Sequence, residues 1–278
     1  MSFGTSMADV VFELKRDIQA DFASVRSLMI FNNELKQLYF CKCVIKPKFS
    51  WIDGSMFSIL SAILRQRIEK NGLRIVFDFS ESKPAIKELF LRNGFFEESE
   101  IVDKNNTLVP VKAFDRTQIE SFIQYVVENF DNNKFPFPRT FALSTIVCLA
   151  EIFSNCEIHS QTRRVFTAGQ FFPNKSDRGE FAFCLTDLGI GIVTLVKKEV
   201  NNHFSSEDAI RWAFTKSNTT RSDRPGGLGL NTLRENIARH GGHLLVVSND
   251  IVYDALEDKC DKLPFAFDGT SVILKLVC

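Results

Sequence analysis

The chain has 278 residues, 45% hydrophobic and 24% charged, and its 34 basic and 34 acidic side chains cancel. That balance leaves no overall field to gather a polyanion or an anionic bilayer, so nucleic acid is not implied as a partner. The amino terminus, MSFGTSMADVVFELKRD, has neither a basic n-region nor an apolar h-region. No later apolar run approaches the ~20 residues of a membrane span, so the expectation is a cytoplasmic protein without a membrane segment.

The length suits two domains of ordinary size. Phe is abundant, 28 residues against 3 Tyr and 2 Trp, which points to thick apolar cores and to a surface for another protein. The seven cysteines form no CxxC pair, and reduced thiols are expected.

Residues 38–45, LYFCKCVI, read as a strand, and 51–72, WIDGSMFSILSAILRQRIEKNG, as a helix with Ile59, Ile63, Leu64 and Ile68 on one side and Gly72 as its stop. LRIVFDF, 73–79, reads as a second strand. KPAIKELFLRNGF follows as a helix with Pro84 near its start and Gly94 at its end. This strand, helix, strand, helix order with IDGSM opening the first helix resembles a STAS domain. In STAS domains of the anti-anti-sigma type a serine in a D-S-S-G-like turn is phosphorylated, and Ser55 stands at the matching place, with Gly54 and Met56 replacing its expected neighbours. The alternative is structural, with Asp53 as an N-cap and Ser55 as a first-turn residue. RTQIESFIQYVVENF, 116–130, reads as a connecting helix, and DNNKFPFPRT, 131–140, as the nearest thing to a linker. The expected division is 1–112, 113–134 and 135–278.

FALSTIVCLAEIFSNCEIHSQ, 141–161, contains a helix with Ile146, Leu149, Ala150 and Phe153 on one side and Glu151, Asn155 and His159 recurring every fourth residue on the other. If another layer covers that polar stripe, a carboxylate and an amide one turn apart suit a divalent ion and a polarised water. GEFAFCLTD, 179–187, alternates as a strand ending at Asp187, just before Gly189 and Gly191. A carboxylate there can accept a hydrogen bond from an exocyclic amine, and glycine lets the backbone approach a flat ligand. GGLGL leads into NTLRENIARHGG, a helix by its Leu230, Leu233 and Ile237 spacing. A glycine turn opening a helix offers free N–H groups to an anion. The intervening 193–226 has the composition of a mobile lid, with Lys216, Arg221 and Arg224 within it. HLLVVSND and GTSVILKLVC read as closing strands.

E-x-x-x-N on a helix, D-x-G-x-G after a strand, G-x-G-L opening a helix and G-T before a last strand together resemble the GHKL ATP-binding family. The likeness implies a Bergerat-type α/β sandwich, a mixed sheet covered by helices, preceded by the smaller STAS-like α/β domain. It implies ATP and Mg²⁺ as cofactors. Asn155 resembles the metal ligand, Glu151 the base acting on water, and Asp187 the adenine reader. Gly189, Gly191 and Ile192 would shape the base pocket and Thr270 support it. Gly227, Leu228, Gly229 and Leu230 would lie at the phosphates, with Lys216 and His159 approaching them. All four histidines, His159, His203, His240 and His243, fall inside this region, so a self-contained sensor histidine kinase is not expected. Three readings remain open: a slow ATPase acting as a switch on a partner protein, a protein serine kinase of the anti-sigma type, and a non-enzymatic nucleotide-sensing scaffold. A homodimer is compatible with each.

Overall fold

The computed structural model describes residues 9–96, 103–130, 139–159, 163–216, 218 and 229–277, with backbone only at 157–159. Two sheets organise them. The first is parallel, in the order β1 (Val10–Leu14), β2 (Lys42–Pro47), β3 (Arg74–Phe77). Its crossovers carry α1 (Phe22–Lys36) and α2 (Phe57–Asn71), and α3 (Pro84–Arg92) follows β3. Parallel neighbours require such crossovers, because a tight turn only reverses the chain.

The second sheet has five strands in the order β4 (Leu108–Asp115), β5 (Arg164–Phe172), β6 (Glu180–Asp187), β8 (Lys259–Val277), β7 (His243–Asp254). Every pairing in it is antiparallel. The mixture of strand directions expected within one sheet is therefore divided between two. Helices α4 (Ile119–Asn129), α5 (Arg139–His159), α6 (Ile192–Glu199), α7 (Ser206–Phe214) and α8 (Gly229–Arg239) complete the described elements.

Both faces of the five-stranded sheet are buried, and alternation along its strands assigns each residue to a face. Phe181, Phe183 and Leu185 of β6, with Val272, Leu274 and Leu276 of β8, join the core beneath α4 to α8. Cys184 and Ile273 point the other way, into a core shared with α1, α2 and the parallel sheet. The amino-terminal helices thus pack on the back of the five-stranded sheet, giving the order helices, sheet, helices, sheet. Strand β4 crosses the expected division at 112 and pairs with β5.

The Phe excess goes mainly inward. Phe57, Phe77, Phe90 and Phe95 form one group of edge-to-face and tilted rings, while Phe122 of α4 stacks on Phe153 of α5 with centroids 4.4 Å apart. Helix α2 ends at Gly72 as its sequence indicates but begins at Phe57, after a 3-10 turn, rather than at the expected 51. Asp53 caps the short 3-10 turn Gly54–Met56, accepting from the Ser55 N–H at 3.0 Å, and Gly72 takes the left-handed conformation at φ 65°. Among the described residues, no helix is long and apolar enough to cross a membrane.

Candidate functional site

Asp187 is the last residue of β6, facing the α5 side of the sheet opposite Thr270 on β8. Its side chain is buried, with 4% of the residue exposed. Oδ1 accepts the Gly189 N–H at 2.7 Å, closing the turn that leaves the strand. On the other oxygen, the Cys156 thiol of α5 donates to Oδ2 at 3.7 Å. Burial pushes the Asp187 carboxyl up to about 6, against the opposing pull of the Gly189 N–H, Cys156 and Thr270.

Two glycines bring the backbone into close approach around this carboxylate. At Gly191, φ 80°, a Cβ would lie 2.3 Å from Asn249 Oδ1; at Gly269, φ 143°, it would lie 2.0 Å from the Asp187 carbonyl oxygen. The Asn249 amide of β7 donates to the Ile190 carbonyl at 3.0 Å, and its Oδ1 accepts from Thr194 N–H at 3.2 Å. Ser248 Oγ accepts from Val193 N–H at 3.3 Å. The D-x-G-x-G turn is therefore fastened to β7, and Ile192, half-buried, opens α6 directly behind it.

Helix α5 links this corner to the start of α8. Cys156 reaches Asp187, and Glu151, five residues earlier and half-buried, lies against Gly229, where a Cβ would stand 3.1 Å from the Glu151 carboxyl carbon. Asn155 stands one turn beyond Glu151, next to Cys156. Gly229 and Leu230 form the first turn of α8, with Gly229 buried and Leu230 packed against the core.

The described structure brings Asp187 together with Gly189 and Thr270, and Gly191 with Gly269, and separately sets Glu151 against Gly229; α5 carries both Glu151 and Cys156, with Asn155 between them, and Ile192 and Leu230 stand in the first turns of α6 and α8. Lys216 is exposed in the turn after α7, and no described contact joins it to these residues. Gly227, Leu228, Arg221, Arg224 and the His159 side chain lie outside the described residues. Of the segment expected to form a lid, 192–199 and 206–214 are instead helices built into the core by Val193, Val196, Ala209, Ile210 and Phe214. Ser205 and Asp208 cap α7 reciprocally. Five buried apolar side chains outweigh the polar composition that suggested a loop.

Ser55 is fully buried, and its hydroxyl donates to Asp53 Oδ1 at 2.7 Å. It serves as the first-turn residue of a capped helix start, and in the folded chain it is closed to a kinase. Cys156, Ser248 and Asn249 were not legible as site residues. Each reaches the site from 31 to 59 positions away in the chain. Among the described residues, no group of three or more His, Cys, Asp or Glu could hold a metal ion. No known family model matches this sequence, and no curated protein matches it either.

Proposed function

We propose that the chain binds ATP with Mg²⁺ in the manner of the GHKL family and acts as a nucleotide-controlled switch toward a partner protein, with slow hydrolysis. One observation carries this reading. A single helix, α5, touches a buried carboxylate at one point and the glycine start of α8 at another. The two contacts lie five residues apart on α5, a helix rise of about 7.5 Å.

In this reading Asp187 accepts the exocyclic amine of adenine through the lone pairs that remain beside the Gly189 N–H on Oδ1 and the Cys156 thiol on Oδ2. The absence of side chains at Gly191 and Gly269 lets the backbone pack directly on Asn249 and on the Asp187 carbonyl, which holds the turn after Asp187 close to β7 and β8. The first-turn N–H groups of α8, at Gly229 and Leu230, would face the phosphates. Asn155 would hold Mg²⁺, which neutralises phosphate charge when bound, and Glu151 would orient a water. Positioning and charge compensation are the main contributions expected of such a site.

Isothermal titration of the full chain with ATP and with ADP, each with and without Mg²⁺, tests the reading. Saturable binding to wild type that is lost or greatly weakened in Asp187→Asn is expected. Equal affinity in the two proteins would remove Asp187 as the base reader.

A further inference from the structure

Arg67 of α2 is a buried cation, its side chain 2% exposed, on the side of the five-stranded sheet away from Glu151. Its Nη1 donates to Asn71 Oδ1 at 3.1 Å and its Nη2 to Gln66 Oε1. The Asn71 amide in turn donates to the Lys36 and Leu38 carbonyls at 3.2 and 2.9 Å, tying the ends of α1 and α2 together. Arg67 Nε has no hydrogen-bond partner.

The ion pair available to this guanidinium is with Asp268, whose Oδ2 lies 3.7 Å from Arg67 Nη2 and 3.5 Å from Lys36 Nζ. Asp268 occupies an irregular point of β8. Thr270 pairs with Ser248, but Phe267 pairs with Asn249, so Asp268 and Gly269 are extra residues in the ladder, a bulge. Bulges of this kind re-aim side chains beside functional sites. The next two residues form the wall of the Asp187 corner. The Gly269 backbone lies against the Asp187 carbonyl, the Gly269 carbonyl oxygen closes on Gly191, and Thr270 pairs with Asp187. The Asp268 side chain is itself 36% exposed, but removing its charge would leave the buried Arg67 cation without its carboxylate, which is costly.

We propose that Asp268 is a positioning residue through which the amino-terminal helices set the geometry of the nucleotide corner, and through which nucleotide occupancy is transmitted back to them. The inference rests on the nucleotide reading above. Coupling of this kind is reciprocal: a ligand that prefers one bulge position stiffens the α1–α2 junction, and loosening that junction weakens the ligand. Lys36, on the surface, adds a second and smaller attraction.

The test uses the full chain with ATP and ADP as probes. Asp268→Asn is expected to weaken both nucleotides about tenfold, raising KM while kcat changes little, with Asp268→Glu restoring part of the loss. Hydrogen exchange read by mass spectrometry should show ATP slowing amides 66–72 in wild type and leaving them unchanged in Asp268→Asn. Lys36→Met, a surface change that leaves folding intact, should raise KM in the same direction by a smaller factor. Unchanged KM in both variants, or a wild type whose 66–72 amides ignore ATP, would overturn the inference and leave the nucleotide reading standing. Equal losses of kcat and affinity with global loosening would also overturn it, reducing Asp268 to a structural role. A wild type that binds neither nucleotide would bring down the underlying reading, and this one with it.

Discussion

Gly229, the first residue of α8, stands so close to Glu151 on α5 that a Cβ there would meet the Glu151 carboxyl carbon at 3.1 Å and its own Cβ at 3.3 Å. The two helices are thus in register at the point where a carboxylate and a helix N-terminus meet. Gly229→Ala should displace the Glu151 side chain, with only part of the roughly 1 kcal/mol propensity gain of a helix interior at this first helical position. The expected outcome is slower ATP turnover with undiminished stability, read by phosphate release and by urea unfolding. Wild-type turnover in this variant would show that the Glu151 position does not matter to the reaction.

Replacing Asp187 by Asn keeps an oxygen for the Gly189 N–H at the position of Oδ1, but presents a donor or a weaker acceptor to the ligand. Nucleotide affinity should fall by about 1.5–3 kcal/mol, the range for a hydrogen bond to a charged group. Stability at pH 7 should hold or rise, because the substitution removes a charge from a site that is 4% exposed. Calorimetric titration and thermal unfolding of the same preparation separate the two effects.

The pH dependence of Asp187 runs in opposite senses for folding and for binding. Its carboxyl goes from an ordinary 3.8 to about 6 in the folded chain, chiefly through burial. Between those values the folded state binds more protons than the unfolded one, so the contribution of this one group is fully present below pH 4 and is lost as pH rises through 6, while a carboxylate held below its ordinary range, such as Asp103, acts in the opposite sense. The Asp187 contribution is of the order of 3 kcal/mol in all. Cys156, the titratable neighbour on α5, has its thiol pushed well above the usual range by burial and stays protonated across this window. Binding of an adenine amine needs the carboxylate, so affinity should rise with pH through about 6 and then level. Titrations at pH 5 and 7.5, with Asp187→Asn as the variant in which both slopes flatten, check the assignment.

Gly269 combines φ 143° with a Cβ position 2.0 Å from the Asp187 carbonyl oxygen. Both the conformation and the contact, which is with backbone, oppose any side chain. Gly269→Ala should destabilise the fold by about 3 kcal/mol or more, visible as a lowered urea midpoint. A midpoint within error of wild type would mean that the bulge relaxes freely.

Ser55 is enclosed at 0% exposure and donates to Asp53, while Asp53 Oδ2 already lacks a partner. Ser55→Ala should cost about 1–3 kcal/mol by removing one donor from a buried carboxylate. Incubation of the folded chain with Mg²⁺ and ATP should leave Ser55 unmodified in a peptide-resolved mass measurement. Phosphate on Ser55 would require this helix start to open.

Local signals made five of the helices legible. Apolar residues at helical spacing marked α2, α4, α5 and α8, Pro84 and Gly94 marked α3, and Gly72 and the Pro84 start gave boundaries within a few residues. The strands β1, β4 and β5, and helix α1, were not read, nor were α6 and α7, whose Ser, Asn and Lys content masked buried Val193, Val196, Ile210 and Phe214. Such residues become a helix face only once a core exists to receive them.

The order of residues alone determined which side chains share a helix face or a strand end: Glu151 one turn from Asn155, Asp187 at a strand terminus, and Gly229 at a helix start. Periods of 3.6 and 2 residues act over a few positions and need no partner to operate. Tertiary structure alone decided that Cys156 reaches Asp187, that Asn249 fastens the 187–191 turn, and that Arg67 and Lys36 meet Asp268 in the β8 bulge beside Thr270. Those contacts join residues 31 to 232 positions apart. They exist because both faces of one antiparallel sheet must be covered, and that requirement, unlike any local period, depends on the whole chain.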